Sequence, residues 1–519
     1  MKAHAARESI DTKNRVVYNS HRIRKKERKG QMNVLQGMRE KRRWILELVL
    51  WGTVLAVLFI LISLCFDHGI DLDEAYSYRT VHGNDLKGIM DNILEAHDTD
   101  IPLWYWGLRV WTWIFGESWF AYKLFSVAGS FATLLLGATA VKKAWGYRTA
   151  LLFIVPAGLA PALLHIGVNV RMYSWTVFIV TACGITIYYL AKEPKRRLLW
   201  GILFLLTVSG LFCHYFTAFC FLFLYLYLFL ALWNRDRRSV WKVFVCGIAA
   251  VAPFCWWLVV SDFFHLKEQG ETQVDFGTID FQELFSFIFK SNIEHSTLLG
   301  MGILAMAFAG LFLLWDRFEK ADRSFALLCL SLLFVSYLIA AVLASVSSHF
   351  FISRHIMHGL ALMWLGIAIV LSRINPPVYI CALLFVGIMS MSSYRICYAN
   401  EYTTTPYIEE TKAFIEEQME PGDIVIYNSE PAFDLLYGCY MPEQTFIYYP
   451  ELTDIQVLAG KRVWFFLCKP DFFSEEVQEV YGITYENMGH YGFQIINDCT
   501  DFDLLRLNIK GAEEGHQAL

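Results

Sequence analysis

Charged residues are scarce in this sequence of 519 residues. They make up 18% of it, whereas 56% of the residues are hydrophobic and 16% are aromatic. Such a composition is too apolar for an ordinary soluble enzyme and indicates a chain that crosses a membrane several times. The C-terminal region also lacks a glycine-rich phosphate-binding loop, so we assign that region no catalytic role.

The charges that are present are unevenly distributed. Residues 1–43 carry 14 Lys or Arg against 4 Asp or Glu, a net charge of +10, and residues 394–519 carry 7 against 22, a net charge of −15. The basic run RIRKKERK (22–29) therefore favours a cytoplasmic tail near anionic lipid over nucleic-acid binding. No A-x-A cleavage site accompanies the first apolar stretch, 44–66, so we expect it to be an uncleaved anchor.

The 12 cysteines match no metal-binding spacing. Eight of them lie in or beside apolar stretches, where cysteine behaves as a small hydrophobe. Cys397, Cys439, Cys468 and Cys499 lie in the acidic tail and could form disulfides if that tail is external, a question that the sequence leaves open.

Eleven stretches approach the roughly 20 apolar residues that a helix needs to cross a bilayer. They are 44–66, 119–141, 149–166, 173–191, 198–213, 215–233, 240–260, 297–315, 325–346, 354–372 and 376–393. With a cytoplasmic N-terminus, an odd number of spans places the C-terminus outside. The loops that this topology places inside, such as KEPKRR (192–197), are rich in Lys and Arg, as the positive-inside rule requires.

Two further segments complete the predicted architecture. The aromatic stretch 102–116 is too short to span, and we expect it to be a helix in the outer membrane interface. Short strand patterns in 394–519 predict a small extracytoplasmic α/β domain. The sequence therefore predicts a basic tail (1–43), a polytopic helical domain (44–393) with a catalytic first external loop (67–118), and this C-terminal domain (394–519).

Polar residues gather at the connections predicted to lie outside. Ionisable groups at membrane depth are usually retained for function or paired with one another. Arginine is the better bidentate partner for a lipid phosphate, and a carboxylate can accept the proton of an attacking hydroxyl. The candidates are Asp73, Glu74, Asp98, Asp100, Arg171, Tyr173, His214, Tyr215 and Arg354.

Three motifs occur in a recognisable order. DLDEAYSYRT (71–80), the aromatic stretch that contains PLWYW (102–106), and HIGVNVRMYSW (165–175) resemble elements of the C-type (GT-C fold) glycosyltransferases. The nearest likeness is to family 39, the bacterial relatives of protein mannosyltransferases and aminoarabinose transferases. Where that family often has HPPL, this sequence has DIPL (100–103).

The resemblance implies the activity and the roles of several residues. It implies inverting transfer of a sugar from a polyprenyl-phosphate carrier to a glycan, lipid or protein acceptor at the outer face of the plasma membrane. Asp73 matches the catalytic base and Glu74 its neighbour, which would orient the acceptor or hold a cation with Asp98 or Asp100. Arg171 and Tyr173 match the element beside the lipid phosphate, and Arg354 resembles a later arginine that opens a membrane helix.

Other interpretations of the same residues stay open at the level of sequence. The acids could simply be a solvated loop, the arginines interfacial anchors, and the histidines ordinary hydrogen-bonded groups at helix ends. A lipid transporter or flippase is the alternative function, although we find no internal repeat of the kind common in transporters. The sequence does not identify a cofactor; a divalent cation would be compatible with the reaction but is not required by it.

Overall fold

The described residues of this computed structural model are 41–66, 70, 72–95, 101–261, 281–289, 296–347, 353–374, 417–428, 438–439, 444–496 and 499–511. The chain divides into two units, Met1–Ala56 and Val57–Leu519. The second unit contains a bundle of helices together with a five-stranded sheet. The predicted divisions after residues 43 and 393 stay predictions, and the basic tail up to residue 40 lies outside the described residues.

Helices dominate the described residues. In chain order they are α1 (Lys41–Leu64), α2 (Leu72–Val81), α3 (Leu86–Glu95), α4 (Pro102–Phe115), α5 (Trp119–Leu136), α6 (Lys142–Leu159), α7 (Pro161–Val168), α8 (Tyr173–Lys192), α9 (Arg197–Leu211), α10 (Thr217–Arg235), α11 (Val240–Val260), α12 (Phe281–Phe289), α13 (Ser296–Leu313), α14 (Lys320–Ser347), α15 (Leu360–Leu371) and α16 (Glu475–Val480). A π-helical turn, Gly137–Val141, joins α5 to α6, and a 3-10 helix, Ser353–Gly359, precedes α15.

Six helical stretches in the described part of the chain are long and apolar enough to cross a membrane. They are Lys41–Leu64, Trp119–Leu159, Tyr173–Lys192, Thr217–Arg235, Arg237–Val260 and Lys320–Val342. Shorter apolar helices cover Arg197–Leu211, Gly300–Leu313 and His355–Leu371. The multi-pass helical architecture is thus confirmed, whereas the number eleven stays a prediction and the stretch 376–393 lies outside the described residues.

The structure divides the predicted span 149–166 differently from the sequence analysis. Helix α6 ends at Leu159 and α7 begins at Pro161, because proline disfavours helical geometry at the residue before it, and Ala160 has an extended backbone. A further break lies at Gly146, between the predicted spans 119–141 and 149–166, where a φ of 88° interrupts the path from α5 through α6. Glycine tolerates this left-handed conformation because it has no Cβ.

The aromatic stretch predicted as a short helix is α4. It begins at Pro102, where the missing N–H costs nothing, and Gly116 follows its last residue with a φ of 84°. Ser118 then caps α5 by accepting a hydrogen bond from the Ala121 N–H. The helix is confirmed, and its place in the membrane interface stays a prediction.

The described part of the C-terminal region, where short strand patterns were predicted, contains five strands in one mixed sheet. They are β1 (Ile424–Tyr427), β2 (Thr445–Tyr448), β3 (Val463–Leu467), β4 (Thr484–Ile496) and β5 (Cys499–Asn508), in the order β2-β1-β3-β5-β4. β1 pairs in parallel with β2 and β3, whereas β5 pairs antiparallel with β3 and β4.

Candidate functional site

The two acids proposed for catalysis lie in the first turn of α2. Glu74 is buried, with 4% of its surface exposed, and Asp73 is half-buried. Acidic side chains are favoured here because the N-terminus of a helix carries partial positive charge. Ser77, one turn further on, is also fully buried. This end of α2 is therefore a buried polar surface inside a largely apolar protein.

The short connection between α7 and α8 contacts that surface. The backbone N–H of Val170 donates to Glu74 Oε1 over 2.7 Å, in a fully buried hydrogen bond. A hydrogen bond to a charged acceptor is worth about 1.5–3 kcal/mol, more than one between neutral groups. The Glu74 carboxylate therefore fixes the connection that carries Arg171.

The side chain of Arg171, which belongs to this connection, contacts both α2 and α4. Its Nη1 lies 3.5 Å from the backbone oxygen of Asp73, 3.5 Å from Ser77 Oγ and 3.3 Å from Tyr105 Oη. Tyr105 belongs to α4 and is 1% exposed. The three sequence motifs, which are far apart along the chain, thus meet around one guanidinium group.

A group of histidines lies next to the start of α8. Tyr173, the first residue of α8, has its ring centroid 5.8 Å from that of His214 and 6.3 Å from that of His358. The two imidazoles contact each other, with His358 Nε2 3.2 Å from His214 Nδ1. His355 lies at the same place, 5.4 Å from His214 between ring centroids.

A hydrogen bond defines the tautomer of the buried His214 imidazole. The backbone N–H of Phe216, 3.3 Å from His214 Nδ1, can only donate, so this nitrogen is an acceptor. His358 Nε2 lies 3.2 Å from this nitrogen, and the Thr176 hydroxyl, which donates to the Tyr173 backbone oxygen over 2.8 Å, lies 2.7 Å from His358 Nδ1. In the neutral state the acceptor role of Nδ1 leaves the proton of His214 on Nε2.

The electrostatic surroundings keep His214 uncharged. It lies between α9 and α10 and is 7% exposed. Burial lowers the pKa of His214 well below its usual range, and the neighbouring His358, His355 and Arg171 lower it further. At neutral pH the group is thus a neutral hydrogen-bond donor.

The C-terminal end of α2 is held by a separate polar cluster. His82 Nδ1 lies 2.7 Å from Glu117 Oε2, and Arg109 of α4 pairs with the other oxygen of the same carboxylate. The ring of Tyr78 stacks on that of His82, with centroids 4.5 Å apart. Burial, and then the charge of Arg109, lowers the pKa of His82. Both ends of α2 are therefore fixed to the rest of the protein by polar contacts.

Comparison with solved structures identifies the fold. ArnT from Cupriavidus metallidurans in the apo state superposes with a TM-score of 0.58 at 12% sequence identity, over 90% of this chain and 98% of ArnT. ArnT bound to undecaprenyl phosphate superposes with a TM-score of 0.57 at 12% identity, over 89% and 98%. The chain has the GT-C fold. The fold that the ordered motifs predicted is therefore confirmed.

The remaining comparisons add no argument beyond the GT-C fold. The oligosaccharyltransferase from Archaeoglobus fulgidus reaches a TM-score of 0.41 at 12% identity, over 77% of this chain and 62% of that one, a likeness too low to interpret. No protein-family model matches the sequence. No curated protein matches it either.

Several predicted site residues lie elsewhere in this GT-C fold or outside its described part. Asp98 and Asp100 lie outside the described residues. Arg354 lies in the 3-10 helix Ser353–Gly359, one turn before His358. Tyr215 is half-buried beside His214, with ring centroids 6.3 Å apart. Among the described residues, no three His, Cys, Asp or Glu side chains form a metal-binding group.

Three residues that contact this site were not predicted from the sequence. Tyr105 was interpreted as part of an interfacial aromatic belt, and Ser77 and Thr176 were not considered. Tyr105 lies in the PLWYW stretch that carries part of the resemblance, which was a usable signal. Nothing local distinguishes Thr176 from the other hydroxyl residues of α8, because its role depends on His358, 182 positions away.

Proposed function

We propose that this protein is a glycosyltransferase that moves a sugar from a polyprenyl-phosphate donor to an acceptor at the outer face of the plasma membrane. The observation that carries the proposal is the contact of Arg171 with the first turn of α2, where Asp73 and Glu74 lie. The GT-C fold supports it, since an ArnT of this fold is described as bound to undecaprenyl phosphate.

The reaction scheme is a single displacement at the anomeric carbon of the sugar. The acceptor oxygen or nitrogen attacks that carbon while its bond to the phosphate oxygen breaks, and Asp73 takes the acceptor proton. The electron pair of the broken bond leaves with the polyprenyl phosphate. Attack opposite to the leaving group inverts the anomeric centre through an oxocarbenium-like transition state. The products are the glycosylated acceptor and free polyprenyl phosphate.

Arg171 is the proposed partner of the leaving phosphate. A planar guanidinium binds phosphate oxygens in a bidentate manner and keeps its charge at every physiological pH. Its contacts with Ser77 and Tyr105 hold the group beside α2, so that little reorganisation is needed as negative charge develops on the phosphate. Tyr173 and Arg354 belong to the same proposed phosphate-binding region.

Glu74 acts in this scheme as a positioning residue. Its Oε1 accepts the Val170 N–H, so the carboxylate determines where Arg171 stands relative to Asp73. This role differs from the one that the sequence resemblance implied, in which Glu74 orients the acceptor or holds a cation with Asp98 or Asp100. The reaction scheme does not require a divalent cation, and no step passes through one.

His214 is proposed as a second donor to the phosphate. The hydrogen bond from the Phe216 N–H to Nδ1 leaves its proton on Nε2. Because the imidazole is neutral and buried, it can donate a hydrogen bond without adding a charge that must be desolvated. Tyr215 follows it in the chain and is proposed to contact the same lipid headgroup.

The charge pattern supports an outer location for this site. Helix α8 has 20 residues and is therefore about 30 Å long. Arg171 and Tyr173 lie at its start, whereas Lys192 at its end adjoins the basic loop 192–197. Basic loops remain on the cytoplasmic side. The opposite end of α8, with the proposed site, is then extracytoplasmic, and so is the C-terminal sheet.

A donor assay in proteoliposomes tests the proposal. The purified protein is given polyprenyl-phosphate sugars that carry a labelled sugar, together with acceptor extracts from the cell envelope. We expect label to leave the lipid and free polyprenyl phosphate to appear, whereas labelled nucleotide sugars should give no product. If label crosses the bilayer while still attached to its lipid, the protein is a flippase and the proposal is wrong.

A further inference from the structure

The C-terminal sheet has two apolar faces, and each is covered differently. Side chains alternate between the faces of a strand. In β1, Ile424 and Ile426 face a core that the C-terminal region builds from its own chain, including Ile455 and Phe473. Val425 and Tyr427 face a second core that also contains residues of the helical part of the protein.

That second core reaches the acids of the proposed site. It contains Ile70 and Ala75, which flank Asp73 and Glu74 in the chain and are 1% and 0% exposed. Tyr78, one turn after Ala75, packs against the same core. From the sheet it contains large side chains that are almost fully buried: Trp464, Phe466, Phe502 and Leu504.

Cys439 lies at the contact between α2 and the C-terminal sheet. Its Sγ lies 3.9 Å from the backbone oxygen of Ala75. Burial raises the pKa of the Cys439 thiol to about 12, with Arg79 acting against the shift and Glu74 adding to it. Residues on both sides of Ala75 are therefore close enough to the thiol to influence its charge.

Helix α2 makes its contacts with the Arg171 connection and with the sheet through different sides of the helix. Successive residues are rotated by about 100°, so residues three or four apart share a side of the helix. Glu74 and Ser77 contact the connection between α7 and α8, whereas Ala75 and Tyr78 contact the sheet. Helix α2 is thus held between the Arg171 connection and the C-terminal sheet.

We propose that the C-terminal sheet is a positioning element for sugar transfer, because its packing on Ala75 and Tyr78 sets where α2 presents Asp73 to the substrates and where Glu74 meets the Arg171 connection. The catalytic part of this inference rests on the proposed function; the contact itself does not. The sheet residues are positioning residues, since none of them is required to touch the donor or the acceptor.

A disulfide experiment tests the contact independently of activity. In a variant with Cys397, Cys468 and Cys499 replaced by serine, Ala75→Cys should form a disulfide with the native Cys439 under mild oxidation, detected as a linked peptide pair by mass spectrometry. Tyr76→Cys is the matched control, because the neighbouring Tyr76 is 46% exposed. Equal linking of both variants, or none at position 75, overturns the contact.

An activity experiment then tests the positioning role. Ala75→Leu adds volume to a full core and should displace α2; we expect kcat to fall by roughly 10- to 100-fold, since displacements near 1 Å have effects of that size, while KM for the donor changes less than about 3-fold. Ala75→Ser should keep the activity. A folded Ala75→Leu protein with full kcat overturns the role.

If Ala75→Leu does not fold, the disulfide variant Ala75→Cys tests the positioning role instead. Oxidised Ala75→Cys locks the native contact, so its kcat should equal that of the reduced protein within about 2-fold, because no displacement of α2 is needed. A large loss of kcat on oxidation means that transfer requires α2 to separate from the sheet, which contradicts a fixed positioning element. If no preparation transfers sugar, the proposed function fails, while the disulfide result still decides the contact.

Discussion

At the scale of residues, two neighbouring acids have different surroundings. Glu74 is almost fully buried and accepts a backbone hydrogen bond from Val170, whereas Asp73 is half-buried at the start of the same helix. A buried, hydrogen-bonded carboxylate suits a positioning role, and a more accessible one suits proton transfer. The resemblance gave Asp73 and Glu74 different roles, but no local signal pointed to the contact of Glu74 with Val170, which lies 96 positions away.

Replacing Glu74 should lower the stability of the protein, because the hydrogen bond with Val170 is lost. Glu74→Ala leaves the buried Val170 N–H without its acceptor, and we expect the free energy of unfolding to fall by about 1–3 kcal/mol. Glu74→Gln keeps an acceptor oxygen at the same place and should lose less. Thermal unfolding in detergent measures both, with the exposed Glu479→Ala as control. Equal losses for Ala and Gln would contradict the assigned bond.

The histidine group predicts a dependence of stability on pH. The pKa of His214 is lowered in the folded protein, so the unfolded chain binds the proton more readily. The contribution of His214 is complete above pH 6.5, the ordinary histidine value, and is lost progressively as the pH falls below it. Arg171, His355 and His358 are the titratable or charged groups that lower this pKa.

Unfolding measured between pH 5 and 8 checks the sign of that effect. Wild-type protein should lose stability on acidification below about pH 6.5, and His214→Gln should lose less, because it removes a titrating group. His490→Gln, at an exposed ion pair with Asp503, is the control. If the stability of His214→Gln depends on pH in the same way as that of the wild type, the assignment of His214 as a neutral buried imidazole is wrong.

At the scale of elements, α8 connects the proposed site with a polar cluster at its other end. There the buried Asp322 of α14 accepts hydrogen bonds from Tyr188 Oη at 2.6 Å and Trp145 Nε1 at 3.2 Å. Arg373 lies 3.5 Å and Lys192 3.7 Å from the same carboxylate. Four separate segments are thus joined around one buried negative charge.

Neutralising this charge should weaken the bundle without disturbing the proposed chemistry. We expect Asp322→Asn to lower the free energy of unfolding by about 1–3 kcal/mol, because the tyrosine and the two cations lose their charged acceptor. Asp316→Asn, at an exposed position nearby, should change it little. Transfer per folded molecule should stay the same, since the site lies at the opposite end of α8. A selective loss of kcat would show that the two ends are coupled.

Elements that depend on local interactions could be predicted from the sequence, whereas features that depend on contacts between distant residues could not. Apolar length and alternation predicted the long helices and all five strands, because both signals are local. The start of α7 at Pro161 was missed, since a continuous apolar run does not show where a helix changes direction. The break at Gly146, in contrast, lies between the predicted spans 119–141 and 149–166. The contact of His358 with His214, 144 positions apart, has no local signal.

At the scale of the whole molecule, the helical part and the sheet of the second unit share a core. From the sequence, we predicted a small C-terminal domain around this sheet and assigned it no catalytic role. Its apolar face nevertheless packs against the helix with the proposed base. The sequence patterns predicted the strands, but they did not show that residues of α2 pack on one face of the sheet.

The topology of the whole chain can be tested with thiol labelling. Glu475→Cys in the C-terminal sheet domain and Lys195→Cys in the basic loop are both at exposed positions. A membrane-impermeant thiol reagent should label the first in intact cells and the second only after permeabilisation, because basic loops remain in the cytoplasm. The reverse result would place the proposed site on the cytoplasmic side.

The most direct test of the account is the rate of sugar transfer by Asp73→Asn. An amide cannot take the acceptor proton, so we expect a single-turnover rate about 10²- to 10⁴-fold below wild type, with donor binding and thermal stability preserved. Asp91→Asn, the same change at a surface ion pair on α3, should transfer at the wild-type rate. A well-folded Asp73→Asn protein that transfers sugar at the full rate would contradict the central claim.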